Sequence, residues 1–257
     1  MTELSRMFDG AMQRLQSEGR AIDLFFRDDD ADVDEETLWR LLDLFLAHRR
    51  PLNLEVIPGR LERGAAEKLR RRAKEAPALL ELNQHGWRHL NHETTGRKCE
   101  FGPSRDFETQ RADIAAGKTR MEEAFADLWH PVFTPPWNRC TADTHRALDQ
   151  LGFRVFSKDR GRDLVDGYGF REISTTLDLY RWKDGAQMRP AEEILRDMLI
   201  QFEQPGPVGL LLHHKVMNAA AFAFLDWLLG ELASSPGVRI HTFRSLLESE
   251  EIISERN

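Results

Sequence analysis

The chain has 257 residues, 41% of them hydrophobic, which is enough for the core of one large α/β domain. Its formal net charge of −7 argues against nucleic acid as the main partner, because phosphate binding requires a basic surface. The absence of an apolar run of about 18 residues predicts no membrane span, and a polar start without a signal-peptide core favours a cytoplasmic protein.

Short apolar runs alternate with longer amphipathic segments, a pattern typical of βα units in a mostly parallel sheet. After a leading helix within residues 1–20, strands are predicted at 21–26, 52–57, 79–82, 131–133, 153–157, 171–174, 179–182, 208–212 and 238–241. Helices are predicted at 35–48, 61–76, 107–128, 141–151, 190–202, 219–232 and 242–248. No glycine-rich dinucleotide motif follows a strand, so a (β/α) barrel in one domain, 1–257, is favoured over a Rossmann sheet.

Three adjacent carboxylates, Asp28, Asp29 and Asp30, follow the first buried strand. Like charges side by side repel, so we expect a cation near them, either a bound metal or an Arg or Lys side chain. Helix capping explains the later carboxylates Asp32 and Asp34. It does not explain Asp28 and Asp29, for which a functional role is predicted.

Histidines follow two other predicted strands. His85 and His89 are four residues apart, which on a helical turn would suit one metal ion. His92 is interpreted as a residue of the outer shell or a substrate contact. At the end of the strand at 208–212, His213 and His214 could be structural, but acid–base catalysis is favoured for at least one of them.

Two prolines stiffen the turn at 134–138 and leave the N–H groups of Trp137 and Asn138 rigidly held. Rigid N–H groups near a metal could stabilise an oxyanion, although from this stretch alone a stiff loop that packs Trp137 is the better explanation. Together with Trp182, Trp87 and Trp137 could also form an aromatic wall for a sugar ring, although core packing is the commoner fate of Trp.

In this order the segments resemble the motifs of the polysaccharide deacetylase family, also called carbohydrate esterase family 4 or the NodB-homology domain. The matching segments are 26–30, 85–89, 134–138 and 211–213. The resemblance implies a distorted (β/α)7 barrel with one divalent metal, zinc in the first instance. It also implies a hydrolase that removes an N-acetyl group from an N-acetylated sugar or related amide. The metal ligands implied by position are Asp29, His85 and His89.

The same resemblance implies the catalytic roles. Asp28 would be the general base, His213 the general acid, and the N–H of Trp137 part of the oxyanion hole. Asp159 is the predicted residue that tunes His213, with Asp178 and Trp182 as the alternative fourth motif. Because His214 stands where family members often carry Asp, it could be the acid instead.

Three departures from the family pattern affect these assignments. Asp30 replaces the usual Gly, Thr134 replaces the Arg that orients the base, and Asn138 replaces a second Gly. We hypothesise that Arg27, Lys158 or Arg139 takes over that charge partnership. The missing Arg also supports an alternative, a catalytically impaired barrel that binds a glycan or a partner. A barrel of the amidohydrolase type would open with His-x-His after the first strand, where this chain has Asp-Asp.

Overall fold

Buried parallel strands followed by helices make up most of the chain in the computed structural model, which describes residues 2–161 and 164–254. The helices are α1 Thr2–Ser17, α2 Glu36–Ala47, α3 Arg63–Glu75, α4 Phe107–Phe125, α5 Ala142–Gln150, α6 Ala191–Gln201, α7 Ala219–Ala233 and α8 Phe243–Ser254. The strands are β1 Ile22–Ala31, β2 Leu52–Val56, β3 Leu80–His85, β4 Trp129–Thr134, β5 Val155–Phe156, β6 Arg171–Glu172, β7 Leu177–Asp178, β8 Tyr180–Arg181, β9 Gln187–Met188, β10 Val208–Leu212 and β11 Val238–His241. The predicted βα alternation is confirmed.

Local sequence explains why these elements form. In α2, Leu38, Leu41, Leu42 and Phe45 repeat at helical spacing and are all buried. In β1 the central apolar residues are buried on both faces, as expected of a strand in a parallel sheet. No helix among the described residues is long and apolar enough to cross a membrane.

The chain divides into two compact units that interleave in sequence, and the boundary falls inside β1. The first unit comprises Met1–Asp28, Glu35–Leu52 and Thr175–Asn257, and the second comprises Asp29–Asp34 and Asn53–Ser174. A single domain over 1–257, as expected from the sequence, therefore stays a prediction.

In the first unit, β1 pairs in parallel with β10 and with β11. The register places Asp28 opposite Leu212, the last residue of β10. The residues that follow β10 therefore begin beside Asp28. The prediction that β1 stops at Phe26 was wrong, because the strand continues to Ala31, and Arg27 and Asp28 still pair with β10.

In the second unit the strands run in the order β2, β3, β4, β5 and β6. Parallel pairing of β3 with β4 places His85 opposite Thr134, so both strands end at the same edge. The segment after β3 and the proline-rich turn after β4 therefore emerge side by side.

Candidate metal centre

Asp30, His85 and His89 converge in the second unit, with one ligand atom from each lying within 4.8 Å of the others. Asp30 Oδ1 lies 3.3 Å from His85 Nε2 and 3.2 Å from His89 Nε2. One carboxylate and two imidazoles are a donor set that suits zinc and other divalent transition metals. The residues present therefore fit the metal that the resemblance implies.

The carboxylate in this group is that of Asp30, whereas the motif resemblance pointed to Asp29. Side chains alternate along a regular strand, but the backbone of Asp30 has a φ of 78° and leaves the extended region. This local turn decides which carboxylate joins the histidines. Asp29 is buried next to the group and acts electrostatically on both histidines.

His85 and His89 reach each other without the predicted helical turn. His85 is the last residue of β3, and the residues after it form a bend with positive φ at Gly86 (57°) and His89 (55°). A reversal of the backbone over four residues thus gives the convergence that a helix would have given by its periodicity.

The tautomer of His85 is set by a hydrogen bond behind the ring. Its Nδ1 lies 3.1 Å from the carbonyl oxygen of Thr134, which can only accept. Nδ1 therefore keeps its proton, and Nε2, which faces Asp30, is the nitrogen that can bind a metal once its own proton is lost. A backbone carbonyl that fixes the far nitrogen in this way is typical of metal-ligating histidines.

The charges around the two rings favour one bound cation. Burial disfavours the charged form of His85, but Asp29, Asp30 and Glu55 outweigh it and raise the pKa of His85 to about 9. Burial, reinforced by the positive charge on His85, lowers the pKa of His89 to about 4. At neutral pH His85 is therefore charged and His89 is neutral. A divalent cation would displace the one additional proton, that on His85.

A second buried cluster lies in the first unit, where His214 sits between Asp28 and Glu35. Asp28 Oδ1 accepts a hydrogen bond from the backbone N–H of His214 (2.8 Å), and Asp28 Oδ2 lies 2.5 Å from its Nδ1. The other ring nitrogen, Nε2, lies 2.9 Å from Glu35 Oε1. Burial lowers the pKa of His214, but the two carboxylates outweigh it and raise the pKa to about 9. His214 thus engages both oxygens of Asp28, one through its backbone N–H and one through its imidazolium.

His213, the predicted acid, has different surroundings. Its Nδ1 is buried and has no hydrogen-bond partner among the described residues. Its ring meets that of Trp182 edge-on at 4.5 Å, and Trp182 Nε1 donates to Asp178 Oδ2 at 2.8 Å. Asp178 and Trp182, the alternative fourth motif, are therefore the residues near His213. Asp159 is exposed and belongs to the other unit.

The turn at Pro136–Asn138 has the rigidity predicted for it. Trp137 and Asn138 both have left-handed backbones, with φ of 56° and 57°. Asn138 N–H donates to Pro135 O at 2.9 Å and Arg139 N–H to Pro136 O at 3.3 Å, so the N–H of Trp137 takes part in neither bond. The Trp137 ring lies 4.3 Å from that of His89. This turn therefore borders the metal group.

Three residues were predicted to replace the family Arg as the charge partner of the base. Arg27 is fully buried in β1. Arg139 donates to the carbonyl of Lys98 at 2.9 Å, and Lys158 lies 3.9 Å from Glu172. For Asp28, the cationic partner that the structure places beside it is His214 and not any of the three proposed residues.

His92 and Trp87 were predicted to contact the substrate or to lie around the metal ligands. His92 is exposed in the loop after His89, and its backbone N–H donates to Cys99 O at 3.0 Å. Trp87 is half-buried, and the guanidinium of Arg88 lies over its ring at 5.3 Å.

Two carboxylates of these clusters were missed by sequence reasoning. Glu35 caps no helix through its side chain and instead binds His214. Glu100 lies in the loop at 91–104 and accepts hydrogen bonds from the segment that carries His89. No periodicity or motif marks either residue, because their partners lie far away in the sequence or in irregular backbone.

Comparison with known proteins identifies the fold. No family model matches the sequence, and no curated protein matches it either. Among solved structures, a protein named as a polysaccharide deacetylase from Mycobacterium smegmatis matches with a TM-score of 0.70 and 17% identity, over 92% of both chains. The chain has the fold of the polysaccharide deacetylases.

Two further structures support this result. A family 4 acetyl xylan esterase from Clostridium thermocellum, in complex with a cobalt ion, matches with a TM-score of 0.61 and 16% identity over 90% of this chain and 92% of that one. A family 4 pseudoenzyme from Bacillus anthracis matches with a TM-score of 0.56 and 17% identity over 89% of this chain and 66% of that one. The fold predicted from the motifs is therefore confirmed.

Proposed function

We propose that this protein is a metal-dependent hydrolase that removes an N-acetyl group from an N-acetylated sugar or a related small amide. The observation that carries the proposal is the convergence of Asp30, His85 and His89 at the edge of a parallel sheet. The fold shared with carbohydrate deacetylases and esterases supports it. Of the divalent metals, zinc is the first to test, and the cobalt bound by the similar esterase supports a transition-metal site.

A divalent metal held by Asp30, His85 and His89 would supply an activated water and polarise the carbonyl of the substrate. Asp29 is then the residue best suited to accept the proton of that water. It is buried beside the ligand group, and it acts electrostatically on His85 and His89. Asp28 is less suited, because both of its oxygens are engaged by His214.

Two further roles follow the resemblance. His213 remains the proposed acid that protonates the leaving nitrogen, and its unpartnered Nδ1 supports this over a structural role. His214 is unsuited to that role, because each of its ring nitrogens is already bound to a carboxylate. The N–H of Trp137, held in a stiff turn beside His89, is the proposed donor to the oxyanion.

A binding protein without turnover is the second candidate. The replacement of the family Arg by Thr134 favours it, and one of the similar structures is named a pseudoenzyme. The retention of a carboxylate beside the ligand group, Asp29, favours the enzyme. A glycan or small-molecule substrate and a cytoplasmic location remain part of the proposal.

The test is release of acetate from a panel of N-acetylated sugars and chito-oligomers by zinc- or cobalt-loaded protein. We expect turnover by the parent protein, and turnover reduced about 100-fold or more by Asp29→Asn with metal binding retained. Asp28→Asn is the matched control, since it removes the same charge one position earlier. Metal binding without turnover on the whole panel would support the binding protein. Loss of turnover in Asp28→Asn alone would return the role of base to Asp28.

A further inference from the structure

One buried carboxylate, that of Glu100, collects the backbone N–H groups of the turn that carries His89. Its Oε2 accepts from the N–H of Trp87 at 3.1 Å, and its Oε1 accepts from Arg88 at 2.8 Å and from Leu90 at 3.3 Å. Glu100 is only 1% exposed. The turn forms no helix, so these three bonds replace the ladder that a helix would have given it.

The conformation of this turn needs such support. Gly86 and His89 both have left-handed backbones, a conformation that is unfavourable for a non-glycine residue such as His89. Successive N–H groups in a turn of this kind form a concave site for an anion. A carboxylate has two oxygens that only accept, so Glu100 can satisfy all three donors at once and fix the backbone at His89.

The segment around Glu100 is itself anchored to the neighbouring proline-rich turn. Arg139 Nη1 donates to the carbonyl of Lys98 at 2.9 Å, and the thiol of Cys99 donates to the carbonyl of Arg139 at 3.3 Å. Phe101 forms a parallel bridge with Cys140. The same short segment therefore holds both the ligand turn and the turn at Pro136–Asn138 that borders it.

We propose that Glu100 is a positioning residue of the metal centre, which sets metal affinity by holding His89 in reach of Asp30. It touches no metal-ligating atom and acts only through the backbone of the turn. This inference rests on the proposed metal site and adds to it a residue from a loop that the motif pattern leaves out.

The test compares Glu100→Gln with Glu93→Gln by titration of cobalt(II) into the metal-free protein. A glutamine at position 100 would place an N–H₂ group against backbone donors. Glu93 lies in the same loop and loses the same charge, and among the described residues its side chain accepts only from the N–H and hydroxyl of Ser104 (3.2 and 2.7 Å). We expect Glu100→Gln to weaken cobalt binding by about 10- to 100-fold and to change the absorption spectrum of the bound cobalt. Glu93→Gln should bind within about twofold of the parent.

The outcomes separate this inference from the proposed function. If the parent binds no cobalt, the proposed metal site itself fails. If the parent and Glu100→Gln bind cobalt equally well and with the same spectrum, the metal site stands and the role of Glu100 is overturned.

Amide hydrogen exchange on the parent protein decides the matter if Glu100→Gln does not fold. Leu90 is 49% exposed, yet its N–H should exchange about 100-fold more slowly than in an unstructured peptide, as should those of Trp87 and Arg88. Exchange at the unstructured rate at all three amides would show that Glu100 does not hold the turn, and would overturn the inference.

Discussion

Metal binding should compete with one proton on His85. With a pKa of about 9, His85 is neutral in about 1% of metal-free molecules at pH 7. Since the metal requires the neutral imidazole, its apparent affinity at pH 7 should lie about 100-fold below the limit reached at high pH. Between pH 6.5 and 8.5 the affinity should rise about tenfold for each pH unit, and about one proton should be released per metal bound.

The assay is a competition titration of cobalt or zinc against a chelator of known pH dependence, together with calorimetry in two buffers of different ionisation enthalpy to count the released protons. The variant Asp29→Asn is a sharp control. It removes a charge that raises the pKa of His85 and leaves the ligand group intact, so its affinity should level off at a lower pH. An affinity of the parent protein that does not change with pH, with no proton released, would refute the charge balance derived for this site.

Three other predictions concern stability and reactivity. The pKa of His214 is about 9 in the folded state, against an ordinary value of 6.5. Protonated His214 therefore stabilises the fold fully below about pH 6.5, and this stabilisation is lost as the pH rises through 9. In urea unfolding, the loss of stability between pH 7 and 10 should therefore be about 2–3 kcal/mol smaller in His214→Asn than in the parent. Gly86→Ala should cost about 1–3 kcal/mol more than Gly96→Ala: both glycines have positive φ, but an added Cβ at Gly86 would lie 2.3 Å from a Glu100 oxygen, whereas Gly96 faces open space. Burial raises the pKa of Cys140 to about 12, so this thiol should react with maleimide slowly in the folded protein and rapidly in urea.

Each of these three predictions has a result that would contradict it. An equal pH-dependent loss in the parent and in His214→Asn would mean that this imidazole is neutral between its carboxylates. Equal costs for the two alanine variants would mean that the space around Gly86 can open. Rapid labelling of Cys140 in the folded protein would contradict the raised pKa of its thiol.

The sequence by itself determined the architecture and part of the candidate metal group. Alternating apolar runs predicted the βα order, and polar residues at the ends of the predicted strands predicted the candidate site residues. Local signals were sufficient because a strand end is a feature of consecutive residues. His85 and His89 were found in this way, although the helical turn expected to join them is a bend.

Only the tertiary structure decided which side chains contact each of the predicted site residues. Three consecutive carboxylates look alike in sequence. The left-handed backbone of Asp30 directs its own side chain to the histidines, and the register of β1 with β10 places Asp28 beside His214. No sequence signal marks Glu100, because its partners are backbone N–H groups, which every non-proline residue has. These assignments depend on backbone angles and strand register, which are fixed only when the sheet packs. Packing brings together residues that are far apart in the sequence.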